Sequence, residues 1–589
     1  MKFSTLSTYL QKIENTSATS EEIKLLSKLF LKASIREAGK IGYLVLGRLG
    51  PLYSNPGFGL GEKLMIRVIA IAFEEEKDIV GEKFEDLGDL GEVVQELAKN
   101  NQEKNLGILD VYEKLLAIAK LEGSGSQKKK VERFSSLLQS LDPLSSKYAV
   151  RIVLGSLRLG VAEKTLLAAL SWLEKEDKSL LKDLEKIYFV HPDVGEIITK
   201  FKEGSVEALS DSEMEIGIPV RLALCQREEK TEKIVKRMEG KAAAEYKLDG
   251  TRLQLHLDKG KEPRSVKDAQ RREIDFFVAT YTRNLEETTT MFPDIVQGVI
   301  EQLDVQSAIL DGEVIGYDPE TEEFLPFQVT AQRKRKYGVA EKAEEVPLKF
   351  FVFDLLYLDG ENLLSKPLSE RRALLESVIR KGEKIIPIEQ KIVKSADQLA
   401  NTFDEAVNKG LEGLVVKDLD ACYQAGSRGY SWIKYKHQEG ELSDTLDCVV
   451  LGYYAGQGKR AELGIGAFLV GVYNQERNRF ETVAKIGTGL TDEQWEEMRR
   501  RCDDLTVEKQ PANVFLQSDL YPDTWVRPEM VVEIFADEIT QSPVHTAGAG
   551  ETGAGYALRF PRLISWRDDK NAQDATTADE IIDLYEMQK

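Results

Sequence analysis

Glu245-Tyr246-Lys247-Leu248-Asp249-Gly250-Thr251-Arg252 sets a lysine beside an acid and a glycine turn, between two runs of strand-like pattern. Downstream, Leu253, Leu255 and Leu257 alternate with Gln254 and His256. That period of two is the mark of a half-buried strand, so Lys247 falls at a strand end or hairpin. Such a position exposes an amine on a rigid backbone, which suits a nucleophile. Lysine attacks only as the neutral amine, and an unperturbed side chain near pKa ~10.4 is almost wholly charged at neutral pH. Neighbouring cations and partial desolvation are therefore expected to lower it. Taken in isolation, the same residues also describe a surface lysine next to an Asp-Gly hairpin turn.

Further candidates follow in order at the ends of successive strand-like runs. They are Thr282-Arg283-Asn284, Asp311-Gly312-Glu313, the run from Phe353 to Tyr357, Glu412-Gly-Leu-Val-Val-Lys417 and Trp432-Ile-Lys434-Tyr-Lys436. Glu313 and Glu412 adjoin the apolar runs Ile309-Leu310 and Leu414-Val-Val416, which puts both carboxylates at a sheet edge. Two such acids suit a magnesium ion, with manganese as the alternative. Lys434 and Lys436 are two apart in a strand pattern and share a face with Trp432, so both can reach one phosphate. Phe353 ends the apolar run Phe350-Phe-Val-Phe353, whose default place is a core.

The chain has 589 residues, too long for one core at about 150 residues per domain. Three regions are read: helical over 1–218, mixed strands and helices over 219–438, and all-strand over 439–589. In the first, Thr19-Ser-Glu-Glu22 reads as a capping box, and Leu166, Leu167, Leu170 and Leu173 recur at helical spacing. In the last, short strands separated by glycine and charged turns suggest a small barrel of OB type. The glycine-rich run Ala547 to Gly555 lacks the Lys-Ser/Thr of a phosphate loop and reads as a plain loop. With 80 basic against 100 acidic residues the net charge is -20, which argues against nucleic acid for the chain as a whole. Phosphate is met by local patches, however, and a Debye length of ~8 Å screens distant acid. Basic residues gather at Lys128-Lys-Lys130, Arg333-Lys-Arg-Lys336 and from Arg559 to Arg567. Four scattered cysteines without metal or disulfide spacing point to reduced thiols and a cytoplasmic setting. The start Met1-Lys-Phe-Ser-Thr lacks the order of a secretory signal, and no apolar run approaches the ~20 residues of a membrane span.

Read together, these motifs resemble one family, the ATP-dependent DNA ligases of the three-domain archaeal and eukaryotic replicative type, within the covalent nucleotidyltransferases. The likeness covers nearly the whole chain. Gly50-Pro-Leu-Tyr53, Gly59-Leu-Gly-Glu-Lys63 and Arg151 to Gly160 look like the family's helical domain, and Leu558-Arg-Phe-Pro-Arg562 with Arg567-Asp-Asp-Lys570 looks like its last motif. The resemblance implies a multidomain fold: an all-α DNA-binding domain, an α+β, ATP-grasp-like nucleotidyltransferase domain and an all-β OB-fold domain. It implies that Lys247 takes AMP from ATP, with Glu245 facing the adenine amino group and Phe353 stacking on the ring. Arg252 and Arg283 would meet ribose and phosphates, Glu313 the ribose or, with Glu412, the metal, and Lys417, Lys434 and Lys436 the α-phosphate. Arg559, Arg567 and Lys570 would reach the nucleotide when the barrel swings over it, and the barrel would swing back to admit DNA. Arg151 and Arg158, then Arg333, Lys334 and Arg335, are the candidate DNA contacts. The implied partners are nicked double-stranded DNA and Mg2+ or Mn2+, for a monomer in the cytoplasm, at the nucleoid if prokaryotic. No glutamine-plus-paired-aromatic peptide for a sliding clamp stands out, and Pro219 to Cys225 follows the family pattern only loosely.

Three other readings share parts of this pattern. An mRNA-capping guanylyltransferase uses the lysine and barrel but needs no helical domain. An NAD-dependent ligase brings a cysteine cluster for zinc, and a nick-binding scaffold needs no intact Lys247. Incubation with labelled ATP, GTP or NAD separates all four. Covalent label from ATP alone is expected; label from GTP or NAD rejects the ATP-dependent ligase reading, and label from none favours the scaffold.

Overall fold

The computed structural model describes residues 1–589 apart from 17, 102–104, 158, 210–213, 229, 265, 271, 320, 326–328, 331, 336–337, 410, 437–444, 457–463, 488–489, 518–519, 550–553 and 589. From Phe3–Glu14 to Val194–Gly204 the described chain is α-helical with short 3-10 turns. One apolar core joins these helices, from Leu6 and Leu10 in the first to Ile198 and Phe201 in the last. Local chemistry sets the ends: ahead of the helix Pro143–Leu154, the Asp142 side chain accepts from the backbone N–H groups of Leu144 and Ser145. A cap of this kind contributes about 1 kcal/mol. Leu166, Leu167 and Leu170 are buried along the helix Glu163–Lys175 and Leu173 packs against the same core, as their spacing predicts.

The expected capping box at Thr19 does not form. The helix Thr19–Lys32 begins with Ala18 in the cap position and no side-chain cap. Glu22, the residue that would close the box, is instead buried at 4% exposure near Arg477 and Arg479 of the C-terminal region, which is not all-strand as expected but also carries the helices Asp492–Asp503 and Ala578–Met587. Burial pushes its carboxyl up to about 7, against the pull of Arg477 and then Arg479.

Two sheets make up the middle region. One has the order β1-β11-β10-β2-β9, where β1 is Leu224–Arg227, β2 Ala242–Lys247, β9 Gln390–Val393, β10 Gly413–Asp418 and β11 Arg428–Lys436. The other has the order β4-β3-β5-β6-β7, where β3 is Thr251–Asp258, β4 Phe277–Thr282, β5 Ser307–Gly316, β6 Leu348–Leu358 and β7 Glu361–Asn362, with β8, Ile385–Pro387, also paired to β6. The segment leading in from the helical region is bonded to the second sheet. Gly217 donates its N–H to His256 Nδ1 (3.0 Å) and accepts from the Tyr281 hydroxyl (2.8 Å), while Gln254 both accepts from and donates to the Val220 backbone. Burial pushes the His256 imidazole down to about 3, so the ring stays neutral and can accept.

The C-terminal region is β-rich. Leu446–Tyr454, Ala467–Asn474 and Arg479–Ile486 form an antiparallel meander, closed below by Trp495, Met498 and Cys502 of the helix Asp492–Asp503. It touches both other regions. Lys164 pairs with Glu476 (2.8 Å) and Glu62 with Arg527 (3.4 Å) on the helical side, and Arg428 pairs with Glu580 (2.7 Å) on the other. Among the described residues, no helix is long and apolar enough to cross a membrane.

Glu22 supplies a test of that seam. Its folded pKa, about 7, lies above the ordinary glutamate value of 4.5, so between these values the folded state holds more proton than the unfolded one and stability falls as pH rises. Above about 7 the whole cost is present; below about 4.5 it is absent. Glu22→Gln should therefore raise the melting temperature relative to the parent at pH 8 and lose that advantage at pH 4.5. Equal differences at both pH values would remove the buried carboxylate from the seam.

Candidate active site

Antiparallel pairing of β10 with β2 on one side and β11 on the other builds one face in three rows. Lys247, Gly413 and Lys436 form the first row, Glu245, Val415 and Lys434 the second, and Ala243, Lys417 and Trp432 the third. The alternate residues Ala244, Tyr246, Leu414, Val416 and Ile433 face the other way into an apolar core, as the two-residue period requires. Gly413 has φ +144°, and a β-carbon there would lie 2.3 Å from the Tyr435 carbonyl oxygen. Only glycine lets the strands approach so closely, and that approach brings the preceding carboxylate, Glu412, against both Lys247 and Lys436. Burial works against ionisation of Glu412, yet Lys247 and then Lys436 hold its carboxyl below the usual value.

Across the cleft stands the second sheet. Arg252 forms a bidentate pair with the buried Asp311 (3.1 and 2.7 Å) and donates to the Ala223 carbonyl (2.7 Å). Asp311 also accepts from the Tyr423 hydroxyl at 2.8 Å. The Arg252 guanidinium lies 5.3 Å from the Phe353 ring and 5.5 Å from Trp432, so the two sheets meet at this point. Phe353 is half-buried, packs edge-on against Trp432 at 5.7 Å and lies against the apolar cluster that includes Trp432 and Tyr423, at the edge of the cleft. Lys417 and Glu245 are both buried and paired at 2.6 Å; Lys417 also donates to the Phe353 carbonyl, and Glu245 accepts from Gln390. Gly250 lets the hairpin close on Glu313, since a β-carbon there would lie 2.4 Å from the Val314 carbonyl oxygen.

Three carboxylates surround Lys247. Burial pushes Glu313 up to about 8 despite Lys247 and Arg252, and burial with the nearby charge of Glu412 raises Asp249. No cluster of three His, Cys, Asp or Glu side chains with metal-binding geometry exists among the described residues. The donors fit a hard divalent cation that takes one or two carboxylates and completes its shell with water and phosphate oxygens. They do not fit an all-protein cage.

Arg283 is exposed and lies 3.6 Å from Glu580, which also pairs with Arg428. Arg567 and Lys570 both pair with Asp447, and the charge of Arg567 reaches Asp249, so this end of the C-terminal region faces the lysine. Arg559 is exposed on its hairpin and bonds to Thr540. Two expected DNA contacts turn inward. Arg151, 3% exposed, is paired with Asp89, Glu14 and Glu92, and Arg333, 1% exposed, with Asp294. Guanidinium groups so buried and paired turn away from the surface, although the Arg333 Nε keeps no hydrogen-bond partner among the described residues. Lys334 pairs with Glu286 and Arg335 is exposed; Arg158 and Lys336 lie outside the described residues. Sequence reading did not single out Asp311, Gln390, Tyr423 or Arg428. Asp311 stood within a quoted motif, two residues before Glu313, whereas nothing local marks Gln390.

Comparison with known proteins gives a family for each region. The family model for the ATP dependent DNA ligase domain matches residues 222–436, that for the DNA ligase N terminus residues 2–171, and that for the ATP dependent DNA ligase C terminal region residues 461–570. The chain is 45% identical over 591 residues to the "Probable DNA ligase" of Dictyoglomus turgidum, covering 100% of this chain and 98% of that one. It is 38% identical over 595 residues to the "DNA ligase 1" of Methanosarcina mazei, covering 99% of each, and 36% identical over 605 residues to the "DNA ligase" of Sulfurisphaera tokodaii, covering 100% and 98%.

The Arg252–Asp311 anchor is testable directly. Asp311→Asn leaves the buried guanidinium uncompensated, and breaking such a pair costs about 3–5 kcal/mol. The melting temperature should fall by several degrees and covalent nucleotide labelling should drop with it. A variant that melts and labels like the parent would show that Arg252 needs no anchor.

Proposed function

The chain belongs to the ATP-dependent DNA ligase family, and from that premise we propose that Lys247 carries the adenylate in sealing nicks in duplex DNA. The Lys247 amine attacks the α-phosphorus of ATP, an N–P bond forms, the bond to the β-phosphate oxygen breaks and pyrophosphate leaves. The enzyme-bound AMP then passes to the 5′-phosphate at the nick, returning the lysine. Attack of the 3′-hydroxyl on that activated phosphate expels AMP and forms the phosphodiester.

One observation carries this reading: Lys247 and Lys436 share a single row of the sheet, Glu412 just before it pairs with both, and Lys434 stands one row away. In phosphoryl transfer the protein mainly positions groups and offsets charge on the transferring oxygens. Glu412 orients the nucleophile and is near enough to accept its proton as the N–P bond forms. Lys434 and Lys436 take the α-phosphate oxygens, Phe353 stacks on the adenine, and Glu245 recognises its amino group once Lys417 turns from it toward phosphate. Arg252, braced by Asp311, lines the ribose side with Glu313, and Arg283 meets the nucleotide at the cleft mouth. Mg2+, held by Glu313 and Glu412 with ATP oxygens, would neutralise phosphate charge when bound. Arg559, Arg567 and Lys570 complete the site from the C-terminal domain. We assign a helical DNA-binding domain to 1–218, a nucleotidyltransferase domain to 219–438 and an OB-fold domain to 439–589, in a protein that works as a cytoplasmic monomer.

Lys247→Ala tests the assignment. It should abolish covalent labelling by ATP, as a gel or intact mass would report, while nicked duplex still binds within about twofold of the parent. Label retained on the variant would move the nucleophile to another residue.

A further inference from the structure

We propose that Gln390, on the edge strand β9, is a positioning residue that fixes the Glu245 carboxylate so that the site takes a 6-amino purine and refuses a 6-oxo one. The inference rests on the ligase reading, in which Glu245 accepts from the amino group of the base, and names what holds that acceptor in place.

Pairing of β2 with β9 sets Glu245 directly opposite Gln390. The second row of the face that carries Lys247 therefore runs Gln390, Glu245, Val415, Lys434. Side chains opposite one another on an antiparallel pair stand close enough to interact, and the Gln390 amide donates to Glu245 Oε1 at 2.8 Å. Among the described residues this is the one hydrogen bond that the Gln390 side chain makes. The other oxygen, Oε2, is taken by Lys417 at 2.6 Å. Glu245 and Lys417 are 2% and 1% exposed, whereas Gln390 is half-buried. Each oxygen of a buried carboxylate thus has its own donor, one charged and one neutral.

A nucleotide acts on the two donors differently. Lys417 is an ammonium on a flexible stem, so phosphate competes for it and draws it from Glu245. Gln390 is neutral and offers phosphate no charge, and its strand is held in register with β2. It keeps Oε1 when Lys417 leaves, and Oε2 becomes the open oxygen. A carboxylate presents acceptors only. A 6-amino group donates to the open oxygen, whereas a 6-oxo group brings an acceptor against it and leaves both unpaired in a buried place. The terminal torsion of a glutamate side chain is soft, so without Gln390 the carboxylate turns freely and its direction no longer selects. A cation at position 390 would hold the carboxylate but would also compete for phosphate, as Lys417 does. A neutral amide fixes the plane and leaves the charge.

The test is covalent labelling of the full chain by ATP or by ITP, whose base carries oxygen at position 6, each over a concentration series. Gln390→Met keeps the length of the side chain and removes the amide. It should raise the half-saturating ATP concentration about tenfold, the worth of a hydrogen bond to a charged group, and leave the maximal rate within about twofold. Its ITP values should stay within about twofold of the parent, so the preference for ATP over ITP falls about tenfold. Gln390→Glu, which sets a like charge against Glu245, should lower that preference further. Lys391→Ala removes a side chain from the opposite face of the same strand, where it pairs with Glu405, and should keep the parental preference. Unchanged preference in Gln390→Met, equal loss with both nucleotides, or the same fall in Lys391→Ala overturns the proposal. Glu245→Gln separates the two readings: a preference lost there but kept in Gln390→Met strikes Gln390 alone, and a preference kept in both removes Glu245 from base recognition as well.

Discussion

A strand register is the constraint on which the site depends. Because β10 pairs antiparallel with both β2 and β11, residues 247, 413 and 436 share one row although they are remote along the chain. Slipping either ladder by one residue would turn the lysines into the apolar core that Leu414, Val416 and Ile433 help to fill. The register is thus held by burial on one face while it arranges charge on the other. Gly413 adds the close approach, and Glu412 converts it into a carboxylate shared by two ammonium groups.

The convergence of the candidate residues on one face was legible because its signal is local. Lys247, Glu313, Glu412, Lys434 and Lys436 each end or interrupt an apolar strand run, and alternation tells which neighbours share a side. The helical region was less legible where pairing is long-range. Arg151 looked like a phosphate contact in its own motif, but Asp89 and Glu14, distant in sequence, claim it inside the fold. Arg333 loses its surface role to Asp294 for the same reason. Glu22 had the spacing of a helix cap and went to a domain seam instead. A run of basic residues records charge and says nothing of the acids that fold against it.

Charge complementarity also runs along the seam between the C-terminal region and its neighbours. Glu580 lies beside Arg283 and Arg428, and Lys434 also lowers its carboxyl after them. Glu476 meets Lys164 on the opposite flank. These contacts are ionic and partly exposed, so each is individually weak and screened by salt. The interiors they join are apolar, with one cluster in the helical region and two in the C-terminal region. Separation of the regions thus costs far less than disruption of any one of them.

The segment from Ile216 to Val220 carries a different implication. It is stitched to the second sheet through His256, Gln254, Tyr281 and Lys261, and Phe189 of the helical region accepts from the Arg221 backbone just beyond it. A few buried bonds at Gly217, Val220 and Arg221 join the end of the helical region to the second sheet rather than leaving it to a free linker. The floor of the cleft and the last helices thus share one framework, and a substitution at His256 or Gln254 would be felt on both.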